Sequence, residues 1–226
     1  MLACALFVAL GQWQLSRAAA KESLAAAIEN QSHLTPLTGD DLTQSNASAT
    51  FLYRPVRLQG HWAREHTVFL DNRQMNAKPG FFALTPLLLD GAAGVVLVQR
   101  GWVQRHFNNR ADLPGLDTPT GLVEVQGRVV PWPSKLFELG GPESGVIRQN
   151  LDFDLFRAQS KLALLPLSVQ QTGELQDGLL RQWQPANFGT AKHYGYAFQW
   201  FALAALVMAL FLWFQIVKPR RSKSST

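Results

Sequence analysis

One apolar run, Tyr194 to Val217 (YGYAFQWFALAALVMALFLWFQIV), restricts what this chain can fold into more than any other feature. It contains no Asp, Glu, Lys or Arg. At a rise of about 1.5 Å per residue it is long enough to cross a hydrocarbon core of about 30 Å. A soluble core helix of that length shows a polar face. Here only Gln199 and Gln215 are strongly polar, one near each end. Tyr194, Tyr196 and Trp200 stand at the front and Trp213 at the back, as in the aromatic belts of membrane interfaces. Residues 193–217 therefore read as a transmembrane helix, with a lipid bilayer as its surroundings.

The flanks set its direction. Lys218, Arg220, Arg221 and Lys223 follow at once, and no acid comes after them. The positive-inside rule makes residues 218–226 a basic cytoplasmic tail. Everything before the helix then faces the opposite compartment, with His193 at its outer mouth. The formal charge is +5, and the tail supplies most of it. The basic balance is thus a topology signal, and nucleic acid is not an expected partner. A single cysteine, Cys4, excludes an intrachain disulfide and Cys-based metal sites.

Met1 to Leu10 is also continuously apolar, and Arg17 is the first charge. A helix up to Leu15 spans only about 22 Å. Residues 1–15 read as the outer part of a first transmembrane helix whose inner part lies upstream of Met1. The alternatives are a signal peptide cleaved near Ala18–Ala20, which lacks a basic n-region, and a lipoprotein site at Cys4, with little chain before it. Residues 16–32, rich in Ala with Lys21, Glu22 and Glu29, extend the helix beyond the membrane. Leu24 and Ile28 give it one packed face. His33 to Thr50 reads as a polar loop.

Residues 33–192 form the exoplasmic domain, β-rich from Tyr53 onward. Period-two or β-branched runs predict strands over Arg54–Trp62, His66–Met75, Gly80–Leu89, Ala93–Val103, Gly121–Val130 and Leu165–Gln171. Asn108 to Thr120 reads as a loop, and Gly173 to Asn187 as a linker with strand-like pieces. Asn150 or Asp152 can cap a helix over DLFRAQSKLAL that stops before Pro166. The fold class is a membrane protein: two transmembrane helices flanking an exoplasmic α+β domain with a mainly antiparallel sheet or small barrel.

Catalytic signals are thin. G-x-S-x-G, H-E-x-x-H, the P-loop and G-x-G-x-x-G are all missing from the sequence. His61 and His66 lack a third ligand at useful spacing and read as solvated or hydrogen-bonded side chains. His106, near Arg105 and Arg110, reads as a surface residue. Glu138 and Glu143 lie in a Gly-Pro loop without visible pairing. Trp102, after Arg100 and Gly101, reads as a tryptophan closing a small core near a bend.

Three stretches, LGQWQLSRAAAKESL (Leu10–Leu24), LDNRQMNAKPGFFALTPL (Leu70–Leu87) with VLVQRGWV (Val96–Val103), and KHYGYAFQWFAL (Lys192–Leu203), resemble in order and spacing the surfeit locus protein family, the assembly factors of cytochrome c oxidase. The resemblance covers nearly the whole chain, and the shortened first membrane segment departs from it. It implies two transmembrane helices around an exoplasmic β-rich domain in a bacterial inner (plasma) membrane, with a periplasmic main domain. It implies a non-enzymatic, chaperone-like role in building the respiratory chain: binding haem a transiently and delivering it to the oxidase catalytic subunit. The machinery that makes haem a is a further candidate partner.

The family's proposed iron ligand, a histidine opening the second transmembrane helix, falls here on His193. Imidazole is a common axial ligand of haem iron. Trp200, seven residues on, shares a helix face with His193 and could pack on the macrocycle. Tyr196 could line the same groove, and Ala197 lies between. Lys192 and Arg181 are nearby in sequence for the propionates, and Trp13 and Gln14 could form the opposite wall. Two rival readings stand beside this one. One is a scaffold that clamps an oxidase intermediate without touching haem, with His193 and Trp200 as ordinary interface residues. The other is a tethered exoplasmic hydrolase.

Overall fold

The structure, a computed structural model, describes residues 2–44, 49–106, 113, 115–137, 145–173, 177–183 and 189–217. The basic tail, Glu138, Glu143, Arg110 and parts of the 108–120 loop and 173–187 linker lie outside them. The chain divides into two compact units. One is a helix pair from Met1–Ala27 and Gln184–Thr226, and the other a β-domain from Ile28–Trp183.

Among the described residues, seven strands build the β-domain: β1 (Pro55–Trp62), β2 (Val68–Met75), β3 (Lys78–Leu89), β4 (Val95–Gln104), β5 (Val123–Val130), β6 (Ile147–Arg148) and β7 (Leu164–Gln171). They run in the order β1-β5-β7-β4-β3-β2-β6, and β1 also pairs with β3. That last pairing closes β1, β5, β7, β4 and β3 into a five-stranded barrel. Length makes the closure possible. Along one edge of β3, Lys78–Leu84 pair with β2 while Leu87–Leu89 pair with Trp62–Gly60 of β1. Most pairings are antiparallel, but β4–β7 and β2–β6 are parallel.

Alternation in β1 sends Val56 and Leu58 inward to meet Val125, Val129, Leu87, Val96, Val98, Leu167 and Val169 in the barrel interior. Each such side chain removed from water contributes about 1.5–3 kcal/mol. Strand β4 is buried from Val95 through Trp102. Its outer face, with Leu97 and Val95, packs under helix α3 (Phe153–Ser160) with Phe156 and Leu151. A strand covered on both faces reads as an unbroken apolar run, which explains VVLV.

Strand β4 also carries a bulge. Ala83 faces Gly101 while Leu84 faces Gln99, so Arg100 is the extra residue. Its guanidinium donates to Thr118 Oγ1 at 2.6 Å and to the Asp117 carbonyl at 2.7 Å, and lies 4.8 Å over the Trp62 ring. Burial lowers its pKa, and Asp177 opposes that shift. Two residues on, Trp102 is 3% exposed, and its indole donates to the Arg73 carbonyl at 2.8 Å.

Two local expectations are corrected. The segment predicted as a polar loop, His33–Thr50, contains a short helix α2 (Gly39–Gln44). Leu37 and Leu42 anchor it in the barrel core, so tertiary burial overrides a period too short to read. The helix predicted to run to Leu164 stops at Ser160. Lys161 turns left-handed (φ 56°) and its N–H closes on the Arg157 carbonyl, because Leu164 is claimed by Val95 in the parallel ladder. Of the two possible caps, Asp152 accepts from Leu155 N–H at 3.2 Å.

These helix starts carry a pH signature. Asp41 accepts from the Thr38 backbone N–H and hydroxyl, both at 2.8 Å, which holds its carboxyl below the ordinary range. Asp152 is held low by Lys135 at 2.7 Å and by the cap. Stability from a carboxyl whose pKa is depressed on folding is present above its unfolded value, near 3.8. It is lost as pH falls through the folded value. Both groups are exposed, so solvent screening keeps the effect small. The urea midpoint should fall between about pH 5 and about pH 2.5. It should fall less in the D41N/D152N double variant; equal falls would overturn the assignment.

Candidate functional site

In the other unit, helix α1 (Leu2–Ser32) and helix α4 (Thr190–Leu212, continued by a π turn over Trp213–Val217) run antiparallel. Contacts along the pair set the register. Cys4 Sγ lies 3.7 Å from the Ala204 carbonyl, Phe7 stacks on Trp200 at 5.7 Å between centroids, and Gly11 meets the Phe201 ring. Gln14 Oε1 then lies 2.7 Å from His193 Nδ1, and Glu22 Oε1 accepts from the Tyr194 hydroxyl at 2.8 Å.

Every seventh residue of α1, Cys4, Gly11 and Ala18, is small, and Ala197 and Ala204 answer on α4. Gly11, Ala18, Ala197 and Ala204 are buried. Small residues let helix backbones approach closely, the usual means of association where lipid supplies no hydrophobic drive. The outer face of α4 is apolar and open: Phe198 is 75% exposed and Leu206 54%. Among the described residues only α4, over Thr190–Gln215, is long and apolar enough to cross a membrane. Helix α1 is longer, but its apolar half stops before Arg17.

The predicted site residues divide. His193 and Trp200 both face α1, each half-buried and each matched across the seam by a residue seven positions from its neighbour's match: Gln14 and Phe7. Tyr196 is 52% exposed. Of the expected opposite wall, Gln14 reaches His193. Trp13 is 51% exposed and stacks under Arg17 at 5.6 Å instead. Arg181 is buried in the β-domain and committed to Asp177, so it is not a spare cation for an anionic ligand. Phe7 was not foreseen. The signal was present in the matching seven-residue intervals Phe7–Gln14 and His193–Trp200.

The seam itself has no room for a flat ligand. A methyl group at Gly11 would sit 2.6 Å from the Phe201 ring, and Ala197 is 2% exposed. What the pair offers is one imidazole at its edge. With the carboxamide oxygen of Gln14 as the acceptor, the matching tautomer of His193 is the one that donates from Nδ1. The lone pair of the neutral ring then sits on Nε2.

In the β-domain, His66 lines a cleft of about 440 Å³ between the Arg64–His66 turn, β6 and α3. Its cation, Arg148, is engaged by the Gly145 carbonyl and Gln159, and stacks over Phe156 at 5.5 Å. His61 and His106 are exposed. Among the described residues no three His, Cys, Asp or Glu side chains stand together to hold a metal ion.

A closed barrel thus shares one chain with a helix long and apolar enough to cross a membrane, and an imidazole stands near that helix's start. The chain belongs to the SURF1 family, whose profile matches residues 1–205. Over 94 residues it is 32% identical to the cytochrome oxidase assembly protein SHY1 of Saccharomyces cerevisiae, a match covering 42% of this chain and 24% of the yeast protein. It is 24% identical over 230 residues to a SURF1-like protein of Rickettsia bellii, covering 91% of this chain and 85% of that one.

Proposed function

We propose that this chain is a membrane-tethered, non-catalytic assembly factor for cytochrome oxidase. It receives haem a as cargo on His193 and passes it to the oxidase catalytic subunit. Family membership and the name of the yeast relative support the oxidase role. One observation carries the haem role: the His193 ring is held through Nδ1, which leaves Nε2 as the donor atom. The topology we propose has both helices in the inner membrane of a bacterium, the β-domain in the periplasm and the C-terminus in the cytoplasm.

The donor chemistry fits haem, whose iron accepts neutral imidazole. The packing limits where the disc can lie. The helices meet too closely along Gly11 and Phe201 to admit it, so it would rest against the flank of the pair. His193 would hold the iron there, with Tyr196 and the free face of Trp200 beside it. One protein ligand in an open position suits a carrier, which must also let go.

The close seam and the Phe7–Trp200 stack favour a second reading, in which the helix pair is only an anchor and the chain is a scaffold for an oxidase intermediate. The two readings separate in one experiment. Purified from cells that make haem a, the full chain should show a haem absorption band. His193→Ala should reduce it at least about tenfold, since it removes the only proposed protein ligand, while the far-UV circular dichroism stays unchanged. No band under saturating haem, with oxidase yield unaffected by His193→Ala, would establish the scaffold.

A further inference from the structure

Resting on that reading, we infer that Gln14 is a positioning residue. Its carboxamide oxygen fixes the tautomer and the angle of His193, so that Nε2 is the nitrogen offered to iron. A free neutral imidazole exchanges its proton between two nitrogens, and only the nitrogen without the proton can ligate. A metal-binding histidine is commonly fixed by an acceptor on its other ring nitrogen, and loss of that acceptor typically costs about 10- to 100-fold in affinity.

Here the acceptor comes from the other helix. Gln14 Oε1 is 2.7 Å from Nδ1, across 179 residues of chain. The helix register holds it there. Phe7 and Gln14 lie seven residues apart on α1, as His193 and Trp200 do on α4, so the aromatic stack at one rung fixes the hydrogen bond at the next. Gln14 is half-buried, next to the buried Gly11 and Ala18 on the same face of α1. Glutamine suits this task because it is uncharged. A carboxylate at this site would make the same bond and bring a charge to the membrane edge.

The consequence reaches beyond one residue. Ligand competence belongs to the assembled pair: separate α1 from α4 and His193 loses its defined donor atom. Any partner that parts the helices would weaken the iron bond, which is what a carrier needs at the moment of release.

The test uses full-length protein in detergent with 15N-labelled histidine. The chain has five histidines, and His193→Ala identifies the resonances of interest. Without haem, wild type should show Nδ1 protonated and Nε2 bare. Gln14→Leu should give a mixture or the reverse tautomer, while Gln14→Glu should keep the wild-type form. In haem titrations Gln14→Leu should bind about tenfold more weakly, and Gln14→Glu should recover most of the loss. An intact cross-link between Cys4 and a cysteine at Ala204→Cys shows that the pair still forms in each variant.

A wild-type ring protonated at Nε2, or a tautomer unchanged in Gln14→Leu, overturns the inference whether or not haem binds. So does equal haem affinity in wild type and Gln14→Leu. If wild type keeps the stated tautomer but gives no haem band, the haem reading fails, and with it the iron-facing part of this one. The hydrogen-bond part is then judged by the nitrogen spectra alone.

Discussion

Replacing Gly60 with alanine should lower the melting temperature of the β-domain by about 6–12 °C, the equivalent of about 3 kcal/mol in a domain of this size. Gly60 is where β1 changes partners, facing Val123 of β5 on one edge and Leu89 of β3 on the other. The barrel closes at this residue. A Cβ there would lie 2.2 Å from the Leu88 carbonyl oxygen and 3.0 Å from the Leu87 side chain. A backbone oxygen in a paired strand cannot swing aside as a side-chain tip can, so the added atom must push β1 from β3. The loss then includes ladder bonds as well as overpacking. Gly121→Ala is the control, since nothing stands within 4 Å of its added Cβ. Melts of the full chain in detergent, followed in the strand region of the circular dichroism spectrum, decide the matter. A Gly60→Ala melt that overlays the Gly121→Ala melt would refute the closure role.

Gly11→Leu should part the two helices. The native contact places the Phe201 ring 2.6 Å from where a Cβ would begin. An alanine can be met by rotating that ring, so Gly11→Ala should be mild. A leucine fills the seam and leaves the ring nowhere to go, at about 1–3 kcal/mol. Cys4 provides the readout, because its sulfur lies 3.7 Å from the Ala204 carbonyl. With Ala204→Cys present, mild oxidation should form an intramolecular disulfide. Adding Gly11→Leu should cut its yield about tenfold, and adding Gly11→Ala should leave it within about twofold. If haem rides on His193, Gly11→Leu should also weaken haem binding without touching the ligand. Undiminished cross-linking in Gly11→Leu would mean that the seam is not what holds α1 to α4.

Much of this architecture could be read before any coordinates. The long charge-free run announced α4, because length and apolarity alone decide whether a helix can lie in lipid. The barrel strands were visible as period-two or unbroken apolar runs, since the pleat writes its period into local sequence. The bend at Arg100–Trp102 also had a local sign. His193 was singled out by its place at the helix start together with the family resemblance, and its chemistry was only that of any interfacial histidine until Gln14 stood opposite.

What no local pattern could supply was the pairing of distant segments. The long chain separation between Gln14 and His193 hides their hydrogen bond, because a helix shows which residues share a face and not which face it will meet. Barrel closure at Gly60, the parallel β4–β7 ladder and the early stop of α3 at Ser160 are of the same kind: each is settled by a neighbour far along the chain. Short-range propensity chose the elements. Steric fit between faces, a methyl's width at Gly11 and less at Gly60, chose how they assemble.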